Sequence, residues 1–346
     1  MDVGLILGTG DAHYRIDMEM VKAAEAMGYD SVWTSEAWGA DAISSASWIL
    51  SQTSKIKVGT GICQMQARSP ALMSTTSLTL QALSGGRFIL GLGPSGPQVI
   101  EGWHGVPYGK PLELIREYVS IMRKVIARQE PVTHQGTHYQ LPYNGPGATG
   151  LGKPLKTILR PEHPLKIYSA SISPGGIRTA AEICDGVIPV YMDPSNYGAI
   201  GTYIDQGFGK VDGGKSLDTF DVCPFVTVVV DDDIEKARRP VKEQMGFYIG
   251  GMGAKKKNYY AEYATRLGYG DAASGIQDAF LAGRRAEAFS MVPDELVDKV
   301  ALVGPAGHIR EQLAAWKQAG KERKVSSMLC RATSKDALEI LARELL

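Results

Sequence analysis

Cysteine is scarce in this 346-residue sequence. Cys63, Cys184, Cys223 and Cys330 lie far apart, with no C-x-x-C pair and no Cys/His ligand spacing. That argues against a zinc site and against a disulfide framework, and each cysteine reads as a small buried hydrophobe. Net charge is missing as well: Lys+Arg and Asp+Glu stand at 37 each, so no overall field favours nucleic acid or an anionic membrane. No apolar run approaches the roughly 20 residues that a spanning helix needs. The opening "MDVGLILGTGD" has neither a basic start nor a cleavable apolar segment, which sets the expectation of a cytoplasmic enzyme. No acidic cluster of the Mg²⁺-binding kind occurs, and His104, His134, His138 and His308 show no ligand pairing, so no metal is expected.

What is present is alternation. Apolar runs at 2–8, 30–36, 56–64, 87–93, 164–171, 186–192, 220–230 and 324–331 read as strands. Helical patterns near 16–27, 41–53, 69–83, 111–128, 175–184, 195–208 and 334–345 fall between and after them. Near-continuous apolar strands separated by helices mean parallel strands covered on both sides. Eight such units suggest a (β/α)8 barrel rather than an open sheet. Two segments interrupt the rhythm. Residues 130–163 are rich in Gly and Pro ("YNGPGATGLGKP"), and 233–300 are mostly helical. With no linker or low-complexity segment, residues 1–346 read as one barrel domain with insertions and extra helices.

The stretch "GLGPSGPQVIEGWHG" contains Gly91, Gly93 and Gly96 in G-x-G-x-x-G order, the spacing of a dinucleotide-binding loop. Such a loop turns directly into a helix that meets the pyrophosphate, and an acidic residue ends the next strand. Here Pro94 and Pro97 interrupt the turn, the long helix starts well after Gly96, and Glu113 and Glu117 lie on that helix. The match reads as accidental. Its place still matters, because the loop after the fourth strand lies at the catalytic face of a barrel.

Three constellations carry chemistry, each beside a blander reading. In "SASISPGGIRTAAE" (169–182), a strand ends near Ser171 and a helix opens near Gly175. Free N–H groups there, with the Ser171 and Ser173 hydroxyls, suit a phosphate, and Gly175 and Gly176 admit close approach. An ordinary Ser-Pro-Gly helix start is the other reading. In "VGTGICQ", glycines at 59 and 61 suggest a bulge or a simple barrel-corner bend. In "VWTSEAW", Glu36 and Trp38 end the second strand and face the mouth. That carboxylate suits a proton carrier, a ring contact or a salt-bridged loop residue. Among lesser candidates, Ser95, Gly96 and Gln98 line the fourth loop, His13 ends the first strand, and Tyr191 ends the sixth as a pocket wall. Trp103 is expected to pack, and "AKKKNYY" (254–260) reads as a solvated charge run.

"GLGPSGPQVIEGWHGVPYGKPLE", "GGIRTAAEICDGVIP", "YIGGMGAKKKNYY" and "VPDELVDKVALVGP" together resemble the bacterial luciferase-like oxidoreductases, in family order and over nearly the whole chain. Within that family the chain is most similar to the branch using the deazaflavin coenzyme F420. The resemblance implies an eight-stranded α/β barrel, usually a homodimer, and hydride transfer between F420 and a small organic substrate. It implies that the loop of Ser171, Ser173, Gly175 and Gly176 holds the coenzyme phosphate. It also implies a bulge with a non-prolyl cis peptide at Gly61–Ile62 behind the ring, with Gln64 and Arg68 following at the catalytic face. Ser95 and Gly96 then contact the coenzyme, and Glu36 stands beside the ring as the catalytic candidate. Related sugar-phosphate dehydrogenases carry Asp-His where this chain has Glu36 and Ala37, which argues against their activity. An FMN-dependent monooxygenase using O2 and a non-catalytic flavin-binding relative are the alternatives on the same fold.

Overall fold

The computed structural model describes residues 1–8, 12–253 and 257–346. Eight parallel strands close into a barrel. They are β1 (Asp2–Ile6), β2 (Ser31–Thr34), β3 (Lys57–Thr60), β4 (Phe88–Gly93), β5 (Ile167–Ala170), β6 (Gly186–Ile188), β7 (Asp221–Val222 continued by Phe225–Val230) and β8 (Ser327–Ala332). They pair in chain order, and β8 returns to β1 through Gly4 opposite Leu329. Closure runs through β7. The Cys223 and Phe225 amides donate to the Val187 and Pro189 carbonyls at 2.9 Å each, while the Val222 and Pro224 carbonyls accept from Ser326 and Leu329, also at 2.9 Å. One strand therefore bonds β6 on one side and β8 on the other, and no edge is left there.

The barrel interior is filled by side chains, as this fold requires. Ile6, Trp33, Ile89, Tyr168, Ile188, Cys223 and Leu329 form an inner cluster, and Trp33 stacks on Tyr168 with ring centroids 6.0 Å apart. Two rings of that size fit because facing strands carry glycine. A Cβ on Gly59 would lie 2.4 Å from the Trp33 ring, and one on Gly186 would lie 2.7 Å from Tyr168. A larger apolar layer lies between the strands and the outer helices.

The outer helices are α1 (Met18–Met27), α2 (Ala42–Gln52), α3 (Pro70–Ser84), α4 (Pro97–Gly102), α5 (Pro111–Ala127), α6 (Pro174–Ile183) and α7 (Gly198–Phe208). Local sequence fixes their ends. The Ser69 hydroxyl caps α3 by accepting from the Leu72 amide at 3.2 Å, Pro70 opens the helix, and Gly85 ends it at φ 66°.

Both expected interruptions are present. Segment 130–163 carries a small hairpin, His134–Gln135 against Gln140–Leu141. Glu117 of α5 holds it by accepting from the Thr137, His138 and Tyr139 amides at 2.8, 3.0 and 3.0 Å. The second comprises α8 (Ile234–Gly251), α9 (Tyr259–Arg266), α10 (Gly270–Leu281), α11 (Arg285–Ser290) and α12 (Asp294–Val300), packed around Val241, Met245, Ile249, Ile276 and Val297. Two further elements carry no clear signal in the sequence. Strand Leu302–Gly304 extends the sheet beside the end of β7, and α13 (Ala306–Lys321) follows before β8 and α14 (Lys335–Leu345). Three strand residues directly after a helix leave no period to detect. All four cysteines are buried and free. Among the described residues, no helix is long and apolar enough to cross a membrane.

Candidate functional site

The C-terminal mouth of the barrel gathers the site, and the break in β3 shapes it. Gly59 pairs with Ile89, but the next pair is Cys63 with Leu92. Three residues on one strand therefore face two on the other, which is a bulge. The Gly61–Ile62 peptide within it is cis, where the resemblance put it. The Thr60 hydroxyl bridges the broken ladder, donating to the Gly91 carbonyl and accepting from the Gly91 amide at 2.9 Å each. Gly91 must be glycine here, since its Cβ would lie 2.0 Å from the Thr60 carbonyl oxygen. A Cβ on Gly93 would come 3.0 Å from Ile62. The apparent dinucleotide motif is thus explained in part by packing against a bulge. From inside the barrel the Phe225 ring reaches the same place, 2.6 Å from the position of a Cβ on Gly61.

Glu36 lies beside this bulge and is almost fully satisfied. Its Oε1 accepts from Arg68 Nη1 at 2.7 Å and from the Gln64 amide at 2.8 Å; its Oε2 accepts from Arg68 Nη2 at 3.0 Å and from the Ala42 amide at 3.2 Å. The Glu36 side chain is 7% exposed and that of Arg68 is 17% exposed. Arg68 also reaches Asp41, which caps α2 through the Ser44 amide at 2.6 Å. Burial works against the Arg68 charge, but the hydrogen bonds and charge of Glu36 prevail and raise its pKa above the ordinary value. Four N–H donors therefore occupy the Glu36 carboxylate. Of the three roles open to it, this geometry supports holding Arg68. Trp38, which follows it at the mouth, is 60% exposed.

Gln64 continues the network. Its Nε2 donates to Ser95 Oγ at 3.1 Å, and its Oε1 faces His104 Nε2 at 2.5 Å. Ser95 adopts a left-handed conformation, φ 55°, and its carbonyl accepts from the Tyr108 hydroxyl at 3.3 Å. Gly96 then serves as N-cap of the short helix α4, with Gln98 in its first turn.

Between β5 and α6, the Ser173 hydroxyl accepts from the Gly176 amide at 3.1 Å and lies 3.4 Å from that of Ser171. A Cβ on Gly176 would fall 2.0 Å from Ser171 Oγ, so glycine is what lets the two hydroxyls close on the start of α6. Arg266 at the end of α9 donates to the Ile172 carbonyl, and its buried Nε has no partner among the described residues. Two hydroxyls, the Gly175 amide and a guanidinium N–H are donors of the kind a phosphate takes. On the far wall Tyr191, at φ 54°, contacts Tyr248 and Tyr260 with ring centroids 6.4 Å apart in each case. Burial, reinforced by these neighbouring phenols, holds the Tyr191 hydroxyl well above its ordinary pKa.

The model of the luciferase-like monooxygenase family matches residues 2–323. The chain belongs to this family. A Mycobacterium tuberculosis protein named "Putative coenzyme F420-dependent oxidoreductase Rv3520c" is 42% identical over 347 residues, 99% of this chain and 98% of its own. A 5,10-methylenetetrahydromethanopterin reductase of Archaeoglobus fulgidus is 27% identical over 94% of this chain and 93% of its own. Among solved structures, the coenzyme F420 dependent tetrahydromethanopterin reductase of Methanopyrus kandleri shares the fold, with a TM-score of 0.76 at 21% identity and coverage of 99% and 97%.

In this luciferase-like chain Glu36, Gln64 and Ser95 are joined by hydrogen bonds next to Gly61 and Ile62, whereas Ser171, Ser173, Gly175 and Gly176 form a separate cradle one loop further round the barrel. Other expectations need correction. Trp103 does not pack and is 67% exposed. His13 does not end β1, which stops at Ile6, but lies exposed in the following loop. Residues 254–256 of the charge run lie outside the described residues; Lys257 sits over the Tyr259 ring, 5.5 Å from its centroid. His104, noted from sequence only for its lack of ligand pairing, joins the Gln64 network, whereas Asp41, Arg266 and Arg331 were not singled out. Strand alternation was the available signal for Arg331, two residues after the inward-facing Leu329. Nothing in the local pattern of α9 marks Arg266.

Proposed function

We propose that the protein is a coenzyme F420-dependent oxidoreductase that transfers hydride between the deazaflavin and a small organic substrate. The observation that carries this reading is the hydroxyl-lined cradle at Ser171–Gly176, supported by the 42% full-length identity to a protein named for F420. Ser171, Ser173, Gly175, Gly176 and Arg266 would hold the phosphate. The Gly61–Ile62 bulge, Gln64, Ser95 and Gly96 would back the ring side. When bound, the coenzyme supplies a two-electron hydride carrier that avoids oxygen chemistry. The chain's own task is then to fix the bulge and hold its mouth in one arrangement. Glu36 does this as a positioning residue through Arg68 and the Gln64 amide.

A homodimer and a cytoplasmic setting belong to the same reading. The four free buried cysteines accord with a reducing compartment. For the dimer, α2 (AISSASWILSQ) and α3 (PALMSTTSLTLQALS) contain no charged residue, and they expose Trp48 and Leu72. A two-fold interface sets a patch against its own copy, so an uncharged apolar face avoids like-charge repulsion.

Turnover separates the readings. The purified protein is assayed with reduced F420 and a carbonyl panel, and in reverse with F420 and the matching alcohols, while oxygen is monitored. Coenzyme oxidation or reduction without oxygen uptake supports the proposal. Oxygen uptake with reduced FMN, and none of this F420 chemistry, transfers the protein to the monooxygenase class; tight binding without any turnover indicates the non-catalytic class.

A further inference from the structure

Side chains of β8 alternate, so Ser327, Leu329 and Arg331 share one face. Leu329 belongs to the barrel's inner cluster, so Arg331 lies on the inward face one step nearer the C-terminal mouth. It is exposed there. Its strand neighbour is Thr227 of β7, and the pair beneath is Phe225 with Leu329, an apolar floor that continues to Ile6. On the same side stand the phenols of Tyr191, just after β6, and Tyr248 of α8, both close enough that the Arg331 charge opposes the upward pull of burial on their pKa values.

Among the described residues Arg331 makes no side-chain hydrogen bond and no ion pair. Other well-placed arginines of this chain do: Arg68 with Glu36, Arg116 with Glu182, Arg123 with Asp185 and Arg238 with Asp298. A guanidinium on an inward, solvent-open barrel face, above an apolar floor and beside phenolic O–H groups, has the donor geometry for a planar anion.

We infer that Arg331, with the Tyr191 and Tyr248 hydroxyls, makes the β6–β8 side of the mouth a receptor for the carboxylate of an otherwise apolar substrate. This deepens the oxidoreductase reading by giving the substrate a class, and it rests on that reading only for what happens after binding. The cradle at Ser171–Gly176 lies on β5, three strands from β8 around the barrel. The coenzyme phosphate and the substrate anion therefore have separate seats.

The test uses matched probes, benzoate with benzamide and hexanoate with hexanamide. Binding is followed by thermal shift and tryptophan fluorescence, on the protein alone and on the protein loaded with F420. Each carboxylate is expected to bind about tenfold or more tightly than its amide, roughly the worth of one charge-assisted hydrogen bond. Arg331→Gln is expected to erase that preference while leaving amide binding and F420 affinity unchanged, and Arg331→Lys to retain part of it. Equal binding of acid and amide by the native chain overturns the inference, as does a preference that survives Arg331→Gln. Loss of F420 affinity in Arg331→Gln also overturns it, because the arginine then serves the coenzyme's acidic tail. Failure of the native chain to bind F420, with Arg331-dependent carboxylate binding intact, would sink the cofactor reading and leave this inference standing.

Discussion

The two sides of the barrel mouth are built in opposite ways. On the β2–β4 side, polar side chains are tied to one another: Glu36 takes four donors, Arg68 spans two carboxylates, and Gln64 joins Ser95 to His104. On the β6–β8 side, three tyrosine rings lean edge to face and Arg331 has no counter-ion among the described residues. A saturated network costs stability when any member is removed, and in return it fixes the backbone it surrounds. An unpaired cation contributes little to folding and is available for a ligand. The difference teaches where to look for each role: the fixed surface on the saturated side, and substrate selection on the other.

The contrast is most directly broken at its saturated end. Arg68→Met leaves Glu36 buried without its cation, and removal of one partner of a buried pair costs about 3–5 kcal/mol. Urea unfolding should show that loss; a change below about 1 kcal/mol, the scale of a surface pair, would show that the network is ornamental. The next effect tests the floor beneath both sides. Gly59→Ala drives a methyl against the Trp33 ring, for an overpacking cost of about 1–3 kcal/mol by the same measurement.

A smaller effect belongs to Asp41. Burial alone would raise its pKa, but the Ser44 amide and hydroxyl, with the Arg68 charge, outweigh burial and hold it below the ordinary value. Its contribution is therefore fully present above the ordinary carboxylate range and is lost as pH falls through the lower folded value. The stability gap between the native chain and Asp41→Asn should close over that acid window and stay constant near neutrality; a gap that opens only at alkaline pH would contradict the assignment. The smallest effect is on the opposite wall. Arg331→Gln should change stability by no more than about 0.5 kcal/mol, as for an ordinary surface change. A loss comparable to that of Arg68→Met would erase the distinction between the two sides.

The fold was largely legible in the sequence because eight apolar runs and their helices repeat a period that periodicity detects. The barrel-closing role of 221–230 was not, since pairing on both sides is a tertiary property of backbone amides. The bulge was half legible. Gly59 and Gly61 marked a weak strand, whereas the cis bond at Gly61–Ile62 came from family resemblance rather than from any pattern in the residues. Glu36 was located correctly at the mouth, but its role depended on partners 28 and 32 residues away in Gln64 and Arg68, a distance that no local pattern spans. Arg266 shows the same limit more strongly: it reaches the cradle from 94 residues further along the chain.

The central claim is that the Ser171–Gly176 cradle and the β3 bulge together form an F420 seat. Fluorescence titration of the apoprotein with F420 and with FMN, repeated on Gly176→Val, tests it most directly. The account predicts saturable F420 binding in about the micromolar range or tighter, FMN weaker by about tenfold or more, and loss of F420 binding in a normally folded Gly176→Val protein, whose added side chain occupies the space beside Ser171 Oγ. FMN binding as tightly as F420, or F420 binding undiminished in Gly176→Val, would contradict it.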